Sequence, residues 1–182
     1  MIGNIQLIAE VKTASPFGWR SSYSWEELFA IAATHGDLIS IHTDPRWEGS
    51  MDLVRKARAQ TDKPILAKGI HATDDDIARA IDAGADWALC VGRVPSVHAD
   101  RCIIEPYTLA ELVNIPSGLR ALWNSRDLAT GGRKRETFGE ARALRAGWLC
   151  QASNLRTRDD IHPRAEAVLV GAHLPDFIAS LG

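Results

Sequence analysis

Eight short apolar runs, rich in β-branched residues and without polar alternation, recur along the whole chain: residues 5–11, 38–43, 64–68, 87–91, 102–105, 121–123, 148–151 and 167–171. Strands apolar on both faces belong in parallel sheets covered on both sides, and parallel neighbours must be joined by crossovers, usually helices. The segments between the runs must therefore supply helix starts.

Five S/T-x-x-D/E boxes fall between the runs: Ser24 to Glu27, Thr73 to Asp76, Thr108 to Glu111, Thr137 to Glu140 and Thr157 to Asp160. In such a box the hydroxyl accepts a backbone N–H three residues on, and the acid reaches back to the cap residue's own N–H. Helical spacing follows, as in Ile77, Ala80 and Ile81 or Leu109, Leu112 and Val113. The repeated strand and helix signals predict an α/β fold, a single-domain (β/α)8 or TIM barrel spanning residues 1–182. With 182 residues there are only about 23 per unit, against about 31 in a barrel of usual size, so the βα units must be shortened. The gap 92–101, which holds Pro95, leaves little room for a helix; an open doubly wound sheet is the alternative architecture.

Twenty-one Lys and Arg against 23 Asp and Glu leave a formal charge of −2, so no global positive field exists to hold nucleic acid or an anionic membrane surface. No run approaches the roughly 20 apolar residues of a membrane helix, and residues 1–4 carry no signal segment, so a cytoplasmic protein is expected. Cys90, Cys102 and Cys150 each lie in an apolar run and read as small core residues. HExxH, GxGxxG and GxxxxGK[ST] patterns are absent, no cofactor or metal is expected, and the six scattered histidines read as surface or loop residues. Asp74-Asp75-Asp76 reads as a helix start favouring the dipole, and Arg133-Lys134-Arg135 as a solvated loop.

Barrel chemistry gathers at the C-terminal ends of strands, so the polar residues that end the runs carry the functional information. They are Glu10 and Lys12, Lys68, Glu105, Asn124-Ser125-Arg126 and Gln151-Ala152-Ser153. Structural ion pairs would leave a similar pattern, but bringing five charges together in a barrel is costly unless partners or a ligand are supplied. Lys68 and Glu105 suit an acid and base pair, burial lowering the lysine pKa and raising that of the glutamate. Lys12, Ser15, Arg126 and backbone amides at 153–155 and Gly171 suit a phosphate, which barrels commonly bind after strands seven and eight.

Leu7-Ile-Ala-Glu-Val-Lys12 followed by Ala14-Ser15-Pro16 resembles the first-strand motif of indole-3-glycerol phosphate synthases. The similarity continues in order through residues 39–45 with Trp47 and Gly49-Ser50, residues 64–68, Gly84-Ala-Asp86, Ile104-Glu105, residues 124–128 and Val168-Leu-Val-Gly171. The resemblance implies a (β/α)8 carboxy-lyase of tryptophan biosynthesis that closes the indole ring of a carboxyphenylamino deoxyribulose phosphate, losing carbon dioxide and water without a cofactor. It implies Lys68 as general acid, Glu105 as base in the dehydration, and Glu10 and Asn124 as orienting groups. Lys12 would bind the substrate carboxylate. Ser15, Arg126, Ser153, Asn154 and Gly171 would lie near the phosphate, and Trp47, Leu89 and Leu128 would flank the aromatic ring.

Several positions depart from the family pattern. Ala152 stands where the family has glutamate, Asn154 where it has glycine and Ala172 where it has serine; Gly69-Ile70 replace Asp-Phe, and the family's N-terminal helical extension is not found ahead of the first run. A more open site is expected. The alternatives to the synthase reaction are a reduced homologue acting on another phosphorylated sugar derivative and a non-catalytic barrel that binds a phosphorylated ligand. In each case the partner is a phosphorylated small molecule, and the sequence leaves oligomeric state open.

Overall fold

The computed structural model describes residues 2–182. Eight parallel strands pair in chain order and close, β8 returning to β1: β1 (Gln6–Val11), β2 (Leu38–His42), β3 (Ile65–Lys68), β4 (Trp87–Val91), β5 (Cys102–Glu105), β6 (Arg120–Asn124), β7 (Leu149–Ala152) and β8 (Ala167–Val170). Closure excludes the open doubly wound sheet. Six helices cover the outside: α1 (Trp25–His35), α2 (Met51–Arg58), α3 (Asp74–Asp82), α4 (Leu109–Asn114), α5 (Phe138–Leu144) and α6 (Leu174–Ala179). The crossovers from β4 to β5 and from β7 to β8 contain only 3-10 turns, Ala99–Arg101 and Arg158–Asp160, which is where the chain saves length. No helix among the described residues is long and apolar enough to cross a membrane.

Three boxes, at Ser24, Thr73 and Thr137, form both reciprocal hydrogen bonds and open α1, α3 and α5. Thr108 caps α4, but the Glu111 carboxylate accepts from the Tyr107 amide instead of the cap's own. The box at Thr157 opens no α-helix. Asp160 accepts the amides of Arg156 and Thr157, yet Pro163 lies three residues on and forces the chain out of helical backbone. Ser50, which heads no acidic box, caps α2 through the Leu53 amide.

Side chains alternate across each strand, so one set packs outward under the helices and the other fills the barrel. Leu7, Ala9 and Val11 join the outer core with Phe29, Ile77 and Phe177. Ile8, Leu38, Leu66, Leu89, Ile103 and Leu122 pack with Cys150 and Leu169 in the inner one. The lower end is plugged by Arg120, whose guanidinium lies 4.2 Å from the Trp87 ring centre and 5.0 Å from that of Trp148. Outside it, arginines tie down the short loops. Arg145 donates to the carbonyls of Ile115, Pro116 and Leu119, while Arg142 pairs with Glu166 and donates to those of Arg145 and Gly147. All three cysteines are buried and free.

Leu122 is fully buried in the inner core. Leu122→Ala is expected to cost about 3 kcal/mol through lost transfer energy and a residual cavity, measured by urea unfolding. A loss below about 1 kcal/mol would mean that the barrel interior collapses around the deletion.

Candidate active site

The alternation that fills the barrel with Ile8 and Leu122 also sends the next inward residues into its upper end, at the C-terminal ends of the strands. There they line a cleft of about 750 Å³, its open mouth included. Glu10 enters from β1 and Lys12 from just past its end, Lys68 from β3, Glu105 from β5 and Asn124 from β6. Arg126, Ser153, Asn154 and Gly171 reach the same cleft from the ends of β6, β7 and β8, and Trp47, Leu89 and Leu128 contribute apolar lining. Ser15 does not line it. The turn after Lys12 takes the Ser15 amide to the Trp19 carbonyl, and its hydroxyl accepts from the Phe17 amide at 3.2 Å.

Glu10 organises one half of the site. Its Oε1 accepts from Lys68 Nζ at 2.5 Å and lies 2.8 Å from His42 Nε2, while Oε2 rests against Gly171. A Cβ on Gly171 would lie 1.6 Å from that oxygen, so glycine is required for the carboxylate to occupy this position. Burial alone would raise the Glu10 pKa, but Lys68 and then His42 outweigh it and hold the group well below the usual carboxylate range. Glu105 behaves oppositely. Burial dominates and raises its pKa despite Lys68 and the hydrogen bond of 2.8 Å from Asn124 Nδ2. Asn124 is itself fixed, its Oδ1 accepting from Ser153 Oγ at 2.7 Å and from the Arg126 amide at 3.0 Å. One carboxyl is thus held below the usual range and the other above it, the division suited to an electrostatic anchor and a base.

Cations gather on the side of β1 and β6 to β8. Burial lowers the Lys12 pKa to about 8 against the pull of Glu10, with Lys68 and Arg126 close enough to add to the fall. His173, which lines the cleft at the head of α6, is lowered by burial and then by Arg156, and also by Arg126 and Lys12. Ser153 and Asn154 both adopt left-handed backbone, at φ of 68° and 58°, and turn the chain across this edge. Together these groups make a positively biased rim suited to a dianion. Among the described residues, no group of three or more His, Cys, Asp or Glu is placed to hold a metal ion.

Two further features differ from the sequence reading. His42 is neither a surface nor a loop residue: it stands on β2, 5% exposed, with its ring stacked on Trp47 at 6.0 Å and 5°. The available signal was parity, since Leu38, Ser40 and His42 share the inward face. Lys134 is also not fully solvated. The 126–133 bridge folds the loop back, placing Lys134 Nζ 4.4 Å from the Trp123 ring centre, although Arg133 and Arg135 are exposed. Ala152, at the position of an implied carboxylate, is buried in the apolar interior.

The family model described as indole-3-glycerol phosphate synthase matches residues 2–105. An indole-3-glycerol phosphate synthase of Rhodopirellula baltica is 31% identical over 146 residues, covering 69% of this chain and 56% of the relative. Those of Thermococcus kodakarensis and Bordetella pertussis are 33% and 36% identical over 92 and 93 residues, covering 48% and 49% of this chain and 40% and 36% of theirs. The chain therefore spans about half the length of the first of these relatives and less of the others. The crystal structure of KGPDC from Streptococcus mutans shares the fold at a TM-score of 0.65 and 13% identity, covering 97% of this chain and 93% of that one.

The opposite settings of the two glutamates give a test by stability. A carboxyl whose folded pKa is raised stabilises the fold below its unfolded value and loses that contribution as pH rises through the folded value. Glu105→Gln is accordingly expected to raise Tm by roughly 2–4 °C at pH 8, equivalent to about 1 kcal/mol in a chain of this size. The gain should fade toward pH 4, as followed by thermal melts; an equal gain at both pH values would contradict the raised pKa.

Proposed function

Because the chain belongs to the indole-3-glycerol phosphate synthase family, we propose that it closes the indole ring of 1-(2-carboxyphenylamino)-1-deoxyribulose 5-phosphate with loss of carbon dioxide and water. The observation that carries this reading is the meeting of Lys68, Lys12, Glu105 and an ion-paired Glu10 in one cleft whose rim also carries Arg126.

The substrate has a phosphate, a carboxylate on an aromatic ring and a ketone between them. In this reading the phosphate sits against Arg126 and the backbone at Ser153, Asn154 and Gly171, while the ring lies against Trp47, Leu89 and Leu128. Lys12 pairs with the substrate carboxylate and draws the carboxylated ring carbon toward the ketone. As the new carbon–carbon bond forms, Lys68 gives its proton to the ketone oxygen, which becomes a hydroxyl. Loss of carbon dioxide returns its bonding electrons to the ring and restores aromaticity. The hydroxyl then departs as water, its carbon–oxygen bond breaking with a proton supplied from the site, and Glu105 takes a proton from the adjacent carbon to leave the indole double bond. A carboxyl with raised pKa suits that last step, because its basicity lies nearer neutrality. Glu10 holds Lys68 oriented beforehand, and Asn124 orients Glu105.

A second reading, action on another phosphorylated sugar derivative, is favoured by Ala152, which brings no carboxylate to the end of β7. Both readings use the cationic rim, but only the first uses Lys68 on this substrate.

Mixing the chain with the carboxyphenylamino deoxyribulose phosphate should generate indoleglycerol phosphate fluorescence. Lys68→Ala is expected to lower kcat by about a thousandfold, within the range for loss of a positioned acid. Arg126→Ala is expected to raise KM about tenfold with a smaller change in kcat, as for a contact made equally before and during reaction. If neither the chain nor Lys68→Ala produces fluorescence while the compound still raises Tm, the synthase reading fails and the second one stands.

A further inference from the structure

Glu10 Oε1 has two claimants. Lys68 Nζ takes it at 2.5 Å, and His42 Nε2 lies 2.8 Å away without completing a hydrogen bond to it. The histidine is nine-tenths buried, and nothing else among the described residues satisfies that nitrogen. His42 and Lys68 are direct register partners on β2 and β3, so both approach the carboxylate from the same side of the barrel. The imidazole is also held in place. Trp47 stacks on it nearly parallel, Arg46 lies 5.1 Å over the far ring of that stack, and Asp44 fixes Arg46 through paired hydrogen bonds of 3.0 and 2.6 Å.

A lysine that delivers a proton to a substrate must leave the carboxylate that holds it. Glu10 has little freedom to follow, because its second oxygen is lodged against Gly171. Left alone, a buried carboxylate would pull the ammonium back or take up a proton itself, and either would oppose turnover. We propose that His42 is a positioning residue that takes over Glu10 Oε1 whenever Lys68 turns away, so that the carboxylate stays charged and in place until the lysine returns. The proposal extends the reading of Lys68 as the group that meets substrate. The arrangement around His42 nevertheless exists whatever the substrate is.

The charged groups facing the ring are Glu10 and Lys12 from β1, Lys68 from β3 and Asp44 from the turn after β2. Burial lowers the His42 pKa and Glu10 opposes that fall, while Lys68 and Lys12 add to it. Removing Lys68 therefore both takes away a like charge and frees the oxygen.

Histidine 15N–1H correlation spectra of the full chain test this without any turnover. In Lys68→Met the His42 protonation midpoint is expected to rise by about one unit, with its Nε2 proton moving downfield as the hydrogen bond to Glu10 completes; in Glu10→Gln the midpoint should fall. A His42 signal that does not respond to Lys68→Met overturns the proposal. Where the chain turns over the carboxyphenylamino deoxyribulose phosphate, His42→Leu is expected to lower kcat about tenfold with KM changed less than about twofold, and His42→Gln, which can donate the same bond, to recover most of that loss. Unchanged kcat in a folded His42→Leu also overturns it. Absence of turnover in the parent chain counts against the synthase reaction, and the spectra then decide the role of His42 on their own.

Discussion

Everything in this molecule that resembles chemistry depends on one geometric constraint. A parallel strand sends alternate side chains to opposite faces, and when eight strands close, the inner face has no solvent to meet except at the two ends. Apolar side chains fill the middle. At the lower end the constraint is met by a cation between two indoles, Arg120 between Trp87 and Trp148, and at the upper end by the charged set around Glu10. Lys12, two residues beyond Glu10, is inward for the same reason that Glu10 is, and Asn124 is inward because Leu122 is.

Within the upper set, Glu10 carries the arrangement. It is the acceptor for Lys68, the neighbour of His42 and the reason that Gly171 has no side chain. Its charge faces a cleft that also contains Lys12 and Arg126. Among the described residues Glu105 has no such direct ion pair, accepts a hydrogen bond from the neutral amide of Asn124, and burial raises its pKa. The same residue type thereby takes two roles because one copy has a cation in contact and the other does not.

Much of this was legible in the residues themselves. Strands buried on both faces announce themselves as continuous apolar runs, and 87–91 and 102–105 coincide with β4 and β5 end to end. Charges that interrupt such runs at their ends stand out, which is why Glu10, Lys68 and Glu105 could be named. His42 could not be named as easily: it lies inside the run 38–43, but a lone histidine there carries no sign of what it meets. Ser15 shows the reverse failure. It lies three residues after an inward lysine, but one turn between Ser15 and Trp19 is enough to carry it away, and no periodicity reports a turn's direction. The box at Thr157 failed because the signal is local while helix length was decided by Pro163.

One departure from the family pattern, Gly69, sits within a packed unit. A Cβ there would lie 2.2 Å from Thr43 Oγ1, so a larger residue requires that hydroxyl to move. Thr43 in turn bonds the Lys68 carbonyl through its amide at 2.8 Å and reaches His71 Nε2 at 3.0 Å, while His71 Nδ1 lies 2.6 Å from the Leu89 carbonyl. This chain of contacts crosses from β2 through the β3 loop to β4 and fixes the backbone that carries Lys68. His71 adopts left-handed backbone at φ of 44°, uncommon for a residue with a side chain, and its buried ring is anchored at both nitrogens. A larger residue at Gly69 would have to displace that anchor. The lysine is therefore positioned from two directions, by Glu10 at its tip and by Thr43, itself bonded to His71, behind its backbone.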